Sequence, residues 1–403
     1  MAPESSSYSL PANPFVSAES TPAVFVSSGI GPYDNTCGAL SNIDLSVARG
    51  KRVLLKPNAG RNEKPGTGIN THPQVVAAAI DSFQAVGAEV SVGESPIVGV
   101  RSLEALEISG IAQVARDRNC PLLDMDEGRY IRLAVPDGRA ISALKLCRDL
   151  AQFDIVVSIP VMKMHMHTAV TLSVKNMKGC LWRRSKVDLH MLAPLADCDE
   201  KPLNIAIADM ASVLRPHLAI IDGTIAMEGL GPAAGAPKKL DAVVVGADGF
   251  AADAVACELM GISATEVPHL RAGADRGYGV IDLDEIKVSP SNWRDFASPF
   301  VRPPESISIE FAGFNVMDRQ SCSACQSTVL LLLRDNGREM LESRNDGKDI
   351  KIAIGKGHDN LDADTLCVGN CTAMHRELCQ YVPGCPPVAS EIMKKFLEGT
   401  DKY

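Results

Sequence analysis

The sequence of 403 residues has few aromatic side chains, no excess of basic charge and no long apolar run. Phe, Trp and Tyr make up 4% of the chain and the net charge is -9, which excludes a general nucleic-acid-binding surface. The apolar run STVLLLLRD is too short for a membrane-spanning helix, which needs about 20 apolar residues. The N-terminal segment lacks a basic stretch followed by an apolar core, so we expect a cytoplasmic protein without an export signal or a membrane partner.

Cysteine, by contrast, is abundant, with twelve residues in the chain. Without an export signal, this number favours a reducing compartment and argues against a disulfide framework. Half of the cysteines are scattered singly up to Cys257, and we interpret them as small buried side chains. The others crowd into the last fifth of the chain, at Cys322, Cys325, Cys367, Cys371, Cys379 and Cys385.

Short apolar runs alternate with amphipathic segments over most of the chain, for example KRVLLKP, HPQVVAAAIDSFQAVG and AEVSVGES. Near-continuous apolar strands separated by helices predict an α/β fold with a doubly wound, mostly parallel sheet. A Pro- and Ser-rich stretch then interrupts this pattern and predicts a linker. We therefore predict a flexible tail over 1–22, a large α/β domain over 23–287, a linker over 288–306 and a smaller α/β domain over 307–403.

Four cysteines of the smaller domain are spaced to bind a metal. Cys322-x2-Cys325 precedes a predicted helix, Cys371 lies in VGNC, and Cys385 lies in PGCPP. Structural zinc usually shows two short cysteine pairs, and a redox Cys-x-x-Cys would not need the last two residues. An iron–sulfur cluster accepts ligands from scattered loops, so we favour a [4Fe-4S] cluster, with zinc as the alternative.

The same arrangement resembles the proximal cluster site of hydrogenase and quinone-reductase small subunits, which also favours a four-iron cubane. Two further cysteines of this region remain open as replacements for a named ligand or as packing residues. They are Cys367 and Cys379.

The stretch MKMHMHTAVTLSVKNMKG (162–179) gathers cations at the end of a predicted strand. Strand periodicity would place Lys163, His165 and His167 on one face, and Lys175 and Lys178 would share a helix face. At the carboxyl edge of a parallel sheet these groups suit a carboxylate or a phosphate, and the histidines add acid–base capacity. A polar edge that faces water is the alternative, and a metal site is disfavoured by the neighbouring lysines.

Other predicted strand ends add polar groups to the same edge, among them Glu94 in GESP. We predict catalytic roles for His165, His167, Lys175 and Glu228. The predicted substrate-binding residues are Lys56, Asn58, Lys163, Lys178 and Asp222.

Five stretches, in order, resemble the signatures of the family called domain of unknown function 362: VLLKPN, GESP, IPVMKMHMHTAVTLSVKNMKG, IIDGTIAMEGLGP and GADGFAADAVACELMG. The cysteine-rich end is similar to the iron–sulfur tail of some members. The resemblance implies a cluster-containing protein that is often taken for a redox enzyme, with Cys322, Cys325, Cys371 and Cys385 as the ligands.

The sequence thus predicts an iron–sulfur oxidoreductase that acts on a small anionic substrate, with an electron-donor protein and self-association as possible partners. One alternative is an isomerase or lyase in which the cluster is structural or a Lewis acid. Another is an electron-transfer or maturation protein without substrate chemistry.

Overall fold

The computed structural model describes residues 8–17, 21–303, 311–344 and 347–400. The chain divides into two compact units. The first comprises Met1–Leu189 and Glu200–Pro303, and the second comprises His190–Asp199 and Pro304–Tyr403.

The described part of the first unit contains a ten-stranded sheet and a separate pair of strands. The strands are β1 (Ala23–Ser28), β2 (Arg52–Pro57), β3 (Glu89–Glu94), β4 (Leu122–Asp124), β5 (Tyr130–Ala134), β6 (Ala143–Cys147), β7 (Ile155–Ile159), β8 (Val161–His165), β9 (Ala169–Thr171), β10 (Leu218–Glu228), β11 (Ala236–Gly246) and β12 (Lys287–Ser289). The main path runs β12-β1-β11-β10-β7-β2-β3-β4, while β8 pairs with β10 and β9, and β5 pairs with β6. In the large sheet β11 and β9 run antiparallel to their neighbours. The predicted α/β fold with a mostly parallel sheet is confirmed.

Helices cover both faces of this sheet. They are α1 (Pro32–Leu40), α2 (Pro73–Ala85), α3 (Ser102–Ile108), α4 (Ile111–Arg116), α5 (Ser173–Asn176), α6 (Ser185–Asp188), α7 (Pro202–Val213), α8 (Gly249–Leu259) and α9 (Pro268–Ala274). Alternate residues of the central strands, such as Val53 and Val157, pack with α1, α2 and α4 in one apolar core. The residues between them, such as Leu54 and Val156, are buried as well, and α5 and α8 contact this sheet. Burial of both faces explains the near-continuous apolar strands.

The hydrophobic strand FDIVVSIPV continues past Pro160 into a hairpin that the sequence did not predict. Strand β8 pairs in parallel with the C-terminal half of β10, and the chain then reverses so that β9 pairs antiparallel with β8. His167 therefore lies in the turn between β8 and β9, and not on the strand face that periodicity predicted.

Two segments predicted to be unstructured differ from that expectation where the structure describes them. In the predicted tail, Asn13 donates hydrogen bonds to His217 O and Ala247 O, and Phe15 packs on the apolar core. In the predicted linker 288–306, the part up to Pro303 belongs to the first unit, since Trp293 and Phe300 are buried there. Residues 1–7, 18–20 and 304–306 lie outside the described residues.

The second unit contains a four-stranded parallel sheet in the order β13-β14-β15-β16. Its elements are β13 (Phe314–Asp318), α10 (Ser323–Glu342), β14 (Ile350–Ile354), β15 (Leu366–Val368), β16 (Gln380–Val382) and α11 (Ala389–Thr400). Leu332 of α10, Ile352 of β14 and Phe396 of α11 belong to one apolar core. The unit thus has its own core, as expected of a separate domain.

Candidate anion site and candidate metal centre

Lys56 and Glu94 form a buried ion pair at the carboxyl ends of β2 and β3. Their side chains are 0% and 2% exposed, and Lys56 Nζ lies 2.8 Å from Glu94 Oε2. Lys56 also donates to Pro57 O at 3.0 Å and to Asn176 Oδ1 at 3.1 Å. An ammonium group has three hydrogens, so the three acceptors use every donor of Lys56. These contacts organise the sheet edge, and the substrate-binding role of Lys56 stays a prediction.

The VKNMKG motif closes over this ion pair. Asn176 donates to Lys56 O at 3.2 Å and to Ser158 Oγ at 3.0 Å, which ties α5 to β2 and β7. A Cβ at Gly179 would lie 2.2 Å from Glu94 Oε1 and 2.5 Å from Lys56 Cε. Only glycine permits this approach, because any side chain would overlap the buried pair. The motif residues Asn176 and Gly179 therefore position the segment that carries Lys175 and Lys178.

Lys163 is a buried lysine on β8 with neutral oxygen partners. Its Nζ donates to Asn58 Oδ1 at 2.6 Å and to Ile69 O, and the residue is 4% exposed. Burial lowers the pKa of Lys163 to about 7, and the positive charge of Arg61 adds to this effect. Lys163 and Asn58, both predicted to bind substrate, are thus brought together. Sequence reasoning missed Arg61, which follows Asn58 by three positions.

Lys175 is the second buried lysine with only neutral partners. Its Nζ donates to Thr168 Oγ1 at 2.7 Å and to Thr171 Oγ1 at 3.0 Å. Burial, and then the charges of Lys178 and Lys163, hold the pKa of Lys175 well below its usual range. Lys163 and Lys178 are thus both near enough to Lys175 for their charges to act on it. The sequence analysis did not single out Thr168 and Thr171, although they lie in TAVT, shortly before the helix α5 that carries Lys175.

Asp253 of α8 fixes the start of the short helix that carries Lys175. Its two carboxylate oxygens accept from Ser173 N at 2.7 Å and Val174 N at 3.0 Å. Burial raises the pKa of Asp253 to about 7. A carboxylate at these backbone amides satisfies donors that a four-residue helix cannot satisfy itself.

Two histidines at the hairpin turn and Lys178, which follows α5, complete the lysine segment. His165 and His167 are each 4% exposed, and His167 N donates to His165 Nδ1 at 3.1 Å. Lys178 is half-buried, and desolvation together with Lys186 lowers its pKa to about 7. The alternative of a polar edge facing water does not describe Lys163, Lys175 or the histidines, which are buried.

Two predicted site residues serve other contacts. Asp222 accepts from His72 N at 2.7 Å and Thr224 N at 2.9 Å, so it holds the loop that precedes α2. Glu228 accepts from Val301 N at 3.0 Å and forms an ion pair with Lys238 at 3.1 Å. The Val301 amide and Lys238 lower the pKa of Glu228. Both carboxylates hold chain segments, and the binding role of Asp222 and the catalytic role of Glu228 stay predictions.

A cavity of about 1220 Å³ lies elsewhere in the first unit. It is lined by the 9–17 segment and by residues that include Arg215, His217 and Tyr278. His217 directly precedes β10, so this cavity borders the opposite end of the parallel strands from Lys56 and Glu94. It contains none of the predicted site residues.

In the second unit, Cys322 and Cys325 occupy the beginning of α10. Cys322 is the residue before the helix, as predicted, whereas Cys325 lies in its first turn because the helix begins earlier than the sequence pattern indicated. The Cys325 thiol and backbone amides at the helix start donate to Cys322, which lowers the pKa of Cys322 to about 6. The pKa of Cys325 is raised by this hydrogen bond, by burial and by the charges of Cys322, Cys371 and Cys385.

Cys371 and Cys385 lie in two turns that are hydrogen-bonded to each other. Asn370 N donates to Gly384 O at 2.8 Å, and Gly384 N donates to Asn370 Oδ1 at 2.8 Å. A Cβ at Gly369 would lie 3.2 Å from Cys325 Sγ, so the Cys371 turn also reaches the helix start. The fold thus draws together the four cysteines that the sequence singled out. Cys371 and Cys385 are exposed.

The donor set at this location consists of thiols, which suit both iron–sulfur clusters and zinc. Among the residues that the structure describes, no group of three or more His, Cys, Asp or Glu side chains is placed to hold one metal ion. In a cubane cluster each cysteine binds a different iron, so the four sulfurs surround the cluster and do not share one ion. Cys367 and Cys379 lie apart from this group, in a small apolar cluster with Leu361.

Comparison with known proteins places the first unit in a family. A family model described as a domain of unknown function, DUF362, matches residues 53–258, just over half of the chain. The chain belongs to the DUF362 family. The predicted resemblance is confirmed to this extent, and the four cysteines lie outside the matched residues.

The chain is also similar to a thylakoid-associated protein of Synechocystis sp., with 30% identity over 226 residues that cover 56% of this chain and 68% of that protein. Among solved structures, the lactate racemase apoprotein from Thermoanaerobacterium thermosaccharolyticum aligns with a TM-score of 0.39 and 12% identity. That alignment covers 60% of this chain and 57% of the racemase, less than two thirds of its length. None of the described helices is long and apolar enough to cross a membrane.

Proposed function

We propose that this DUF362 protein is an iron–sulfur oxidoreductase that acts on a small carboxylate or phosphate. Its second unit would hold a [4Fe-4S] cluster through Cys322, Cys325, Cys371 and Cys385. The observation that carries the proposal is the convergence of these cysteines, from three separated chain segments, on the first turn of α10. Backbone amides at the start of a helix stabilise the negative charge of thiolates and of a bound cluster.

The lysine site supports an anionic substrate. Lys163 and Lys175 are buried, and their hydrogen-bond partners are a carbonyl oxygen, an amide oxygen and two hydroxyl oxygens, none of which carries a charge. Burying a cation without a counter-charge is costly, and an anion that binds there would offset this cost. Charge-assisted hydrogen bonds of about 1.5–3 kcal/mol each would then dominate affinity.

In the proposed reaction a cluster held by the four cysteines would supply or accept electrons. The residues of the first unit bind the substrate, exclude water from it and move protons. Lys163 and Lys175 would hold the anionic group, and Lys163 can also take up a proton near neutral pH because burial has lowered its pKa to about 7. His165 and His167 would supply further acid–base capacity at the hairpin turn.

A second candidate is an isomerase or lyase, and the lowered lysine pKa values favour it. Lys163 and Lys178, each with a pKa of about 7, are suited to accept a proton from a carbon atom next to a carboxylate. In this case the cluster would be structural. The two candidates differ in whether turnover transfers electrons to a redox dye.

The test of the cluster is the metal content of protein purified without oxygen. We expect about four irons and four acid-labile sulfides per chain, and an EPR signal after reduction. Cys371→Ser should lose most of this iron. A wild-type protein that contains zinc and no iron would contradict the proposal.

Two cysteines of the same unit provide matched controls. Cys367→Ser and Cys379→Ser should retain the iron, because these side chains lie in a separate apolar cluster. Loss of iron in either variant would make that residue a ligand in place of one named above.

A further inference from the structure

The lysine site contains a hydroxyl group whose hydrogen has no acceptor in the described part of the chain. Thr171 Oγ1 accepts a hydrogen bond from Lys175, but the hydroxyl donates to no oxygen or nitrogen there. Thr168 differs in this respect, because its hydroxyl accepts from Lys175 and also donates to Val170 O at 3.0 Å. Thr171 is buried, with 8% of its surface exposed. A buried hydroxyl normally uses its hydrogen.

The lysines on either side of Thr171 each keep one donor as well. In its charged form each ammonium group has three hydrogens. Lys163 has two acceptors, Asn58 Oδ1 and Ile69 O, and Lys175 has the two threonine hydroxyls. One hydrogen of each lysine therefore remains available in the described structure.

The β8–β9 hairpin brings the Thr171 hydroxyl close to the ammonium groups of Lys163 and Lys175. Lys163 of β8 lies directly opposite Thr171 of β9 in the antiparallel pair, so both side chains stand on the same face. Lys175 reaches the same threonine from the helix that follows β9. Thr171 thus lies between the two lysines, with its hydroxyl within 3.0 Å of one of them.

We infer that Thr171 is a third binding residue and that the ligand is a compact oxyanion received by Thr171, Lys163 and Lys175 together. This inference rests on the proposed function and adds to it the hydroxyl that would receive the carboxylate or phosphate group beside the two lysines. Such a group offers at least two oxygen atoms with several lone pairs, enough to accept one hydrogen from each of the three residues. A neutral amide or alcohol of the same size would leave both ammonium groups without a counter-charge.

The experiment is a calorimetric titration of the full, anaerobically purified chain with acetate and with inorganic phosphate. Thr171→Val removes the hydroxyl and keeps the shape of the side chain. Thr168→Val is the matched control. It removes the other hydroxyl that accepts from Lys175, but the hydrogen of that hydroxyl is already used by Val170 O. Thr171→Ser restores the hydroxyl.

We expect wild-type protein to bind at least one probe, and Thr171→Val to weaken that binding about tenfold or more. Thr168→Val should weaken it only about two- to threefold, and Thr171→Ser should restore it. Circular dichroism and the unfolding midpoint show whether each variant is folded.

Two results would overturn the inference, and they are distinguishable. If wild type binds and Thr171→Val equals Thr168→Val, the anion site stands and the role of the Thr171 hydroxyl falls. If folded wild-type protein binds neither acetate nor phosphate, the anion site of the proposed function falls with it.

Discussion

The lysine region of the first unit and the cysteine region of the second unit differ in how their polar groups are satisfied. In the lysine region, Lys56 has three partners, and Lys163 and Lys175 have two each, all supplied by the fold. In the cysteine region the partners of the thiols include other thiols, and two of the four cysteines are exposed. A site built on internal hydrogen bonds forms without its ligand, whereas a group of cysteines gains its stability from the metal.

The largest difference is expected on removal of iron. Because binding of a metal by thiolates adds directly to folding free energy, iron-free protein should lose amide protection throughout the second unit. The first unit contains none of the four cysteines, so it should keep its protection. Hydrogen exchange measured by mass spectrometry on iron-loaded and iron-depleted protein checks this expectation. Equal loss in both units, or no loss in the second, would break the comparison.

Removing the charge of Lys56 should be the most destabilising single change in the lysine region. Lys56→Met leaves the buried Glu94 carboxyl without its counter-charge, which costs about 3–5 kcal/mol in the free energy of unfolding. The double variant Lys56→Met/Glu94→Gln should recover part of this loss, since no charge is then stranded. Urea unfolding followed through the first unit measures both. A loss below about 1 kcal/mol would indicate that Lys56 is not the structural residue described here.

A smaller effect is expected from a methyl group at Gly179. Gly179→Ala places a carbon 2.2 Å from Glu94 Oε1, so the VKNMKG segment must shift and the first unit should lose about 1–3 kcal/mol. Gly60→Ala is the control, because its new Cβ would lie at an ordinary 3.7 Å from Asn58 Nδ2. The same unfolding assay compares them. Equal stability of the two variants would show that the VKNMKG segment can accommodate a methyl group beside the ion pair.

The smallest effect concerns the pH dependence of anion binding. The pKa of Lys163 is about 7 in the free protein, where burial, Arg61 and Lys56 lower it and Glu94 raises it. A bound anion favours the charged form, so binding takes up a proton, and affinity should be highest below pH 7 and fall at higher pH. Acetate stays ionised over this range and is the probe for calorimetry between pH 6 and 8.5.

Lys163→Met should bind acetate more weakly and with a flatter pH profile. Lys178 is the comparison group, because its pKa is also lowered to about 7. If Lys163→Met keeps the wild-type pH dependence, Lys163 is not the group that takes up the proton, and Lys178→Met is the next variant to compare.

The sequence predicted the parts that depend on local pattern. Apolar runs such as IVVSI are buried on both sides, so strand identity and the mostly parallel sheet followed from hydrophobicity alone. The position of Cys322 and Cys325 at a helix start followed from their place before an amphipathic segment. The grouping of Lys163 with Lys175 followed from their closeness in sequence.

The features that the sequence did not reveal depend on distant partners. A lysine at a strand end looks the same in the sequence whether it binds a substrate or forms an ion pair. The partner of Lys56, Glu94, lies 38 positions away. The β8–β9 hairpin has no Asn-Gly or Asp-Gly signal, and its positive φ of 61° belongs to Ala169. The linker prediction followed Pro and Ser content and gave too little weight to Trp293 and Phe300, which are buried.

The central claim is that the four converging cysteines hold an iron–sulfur cluster. Crystals of anaerobically purified protein, measured on both sides of the iron absorption edge, test it most directly. We predict strong iron-specific anomalous density surrounded by the sulfur atoms of Cys322, Cys325, Cys371 and Cys385. Density specific for zinc at that place, or iron bound elsewhere in the chain, would contradict the claim.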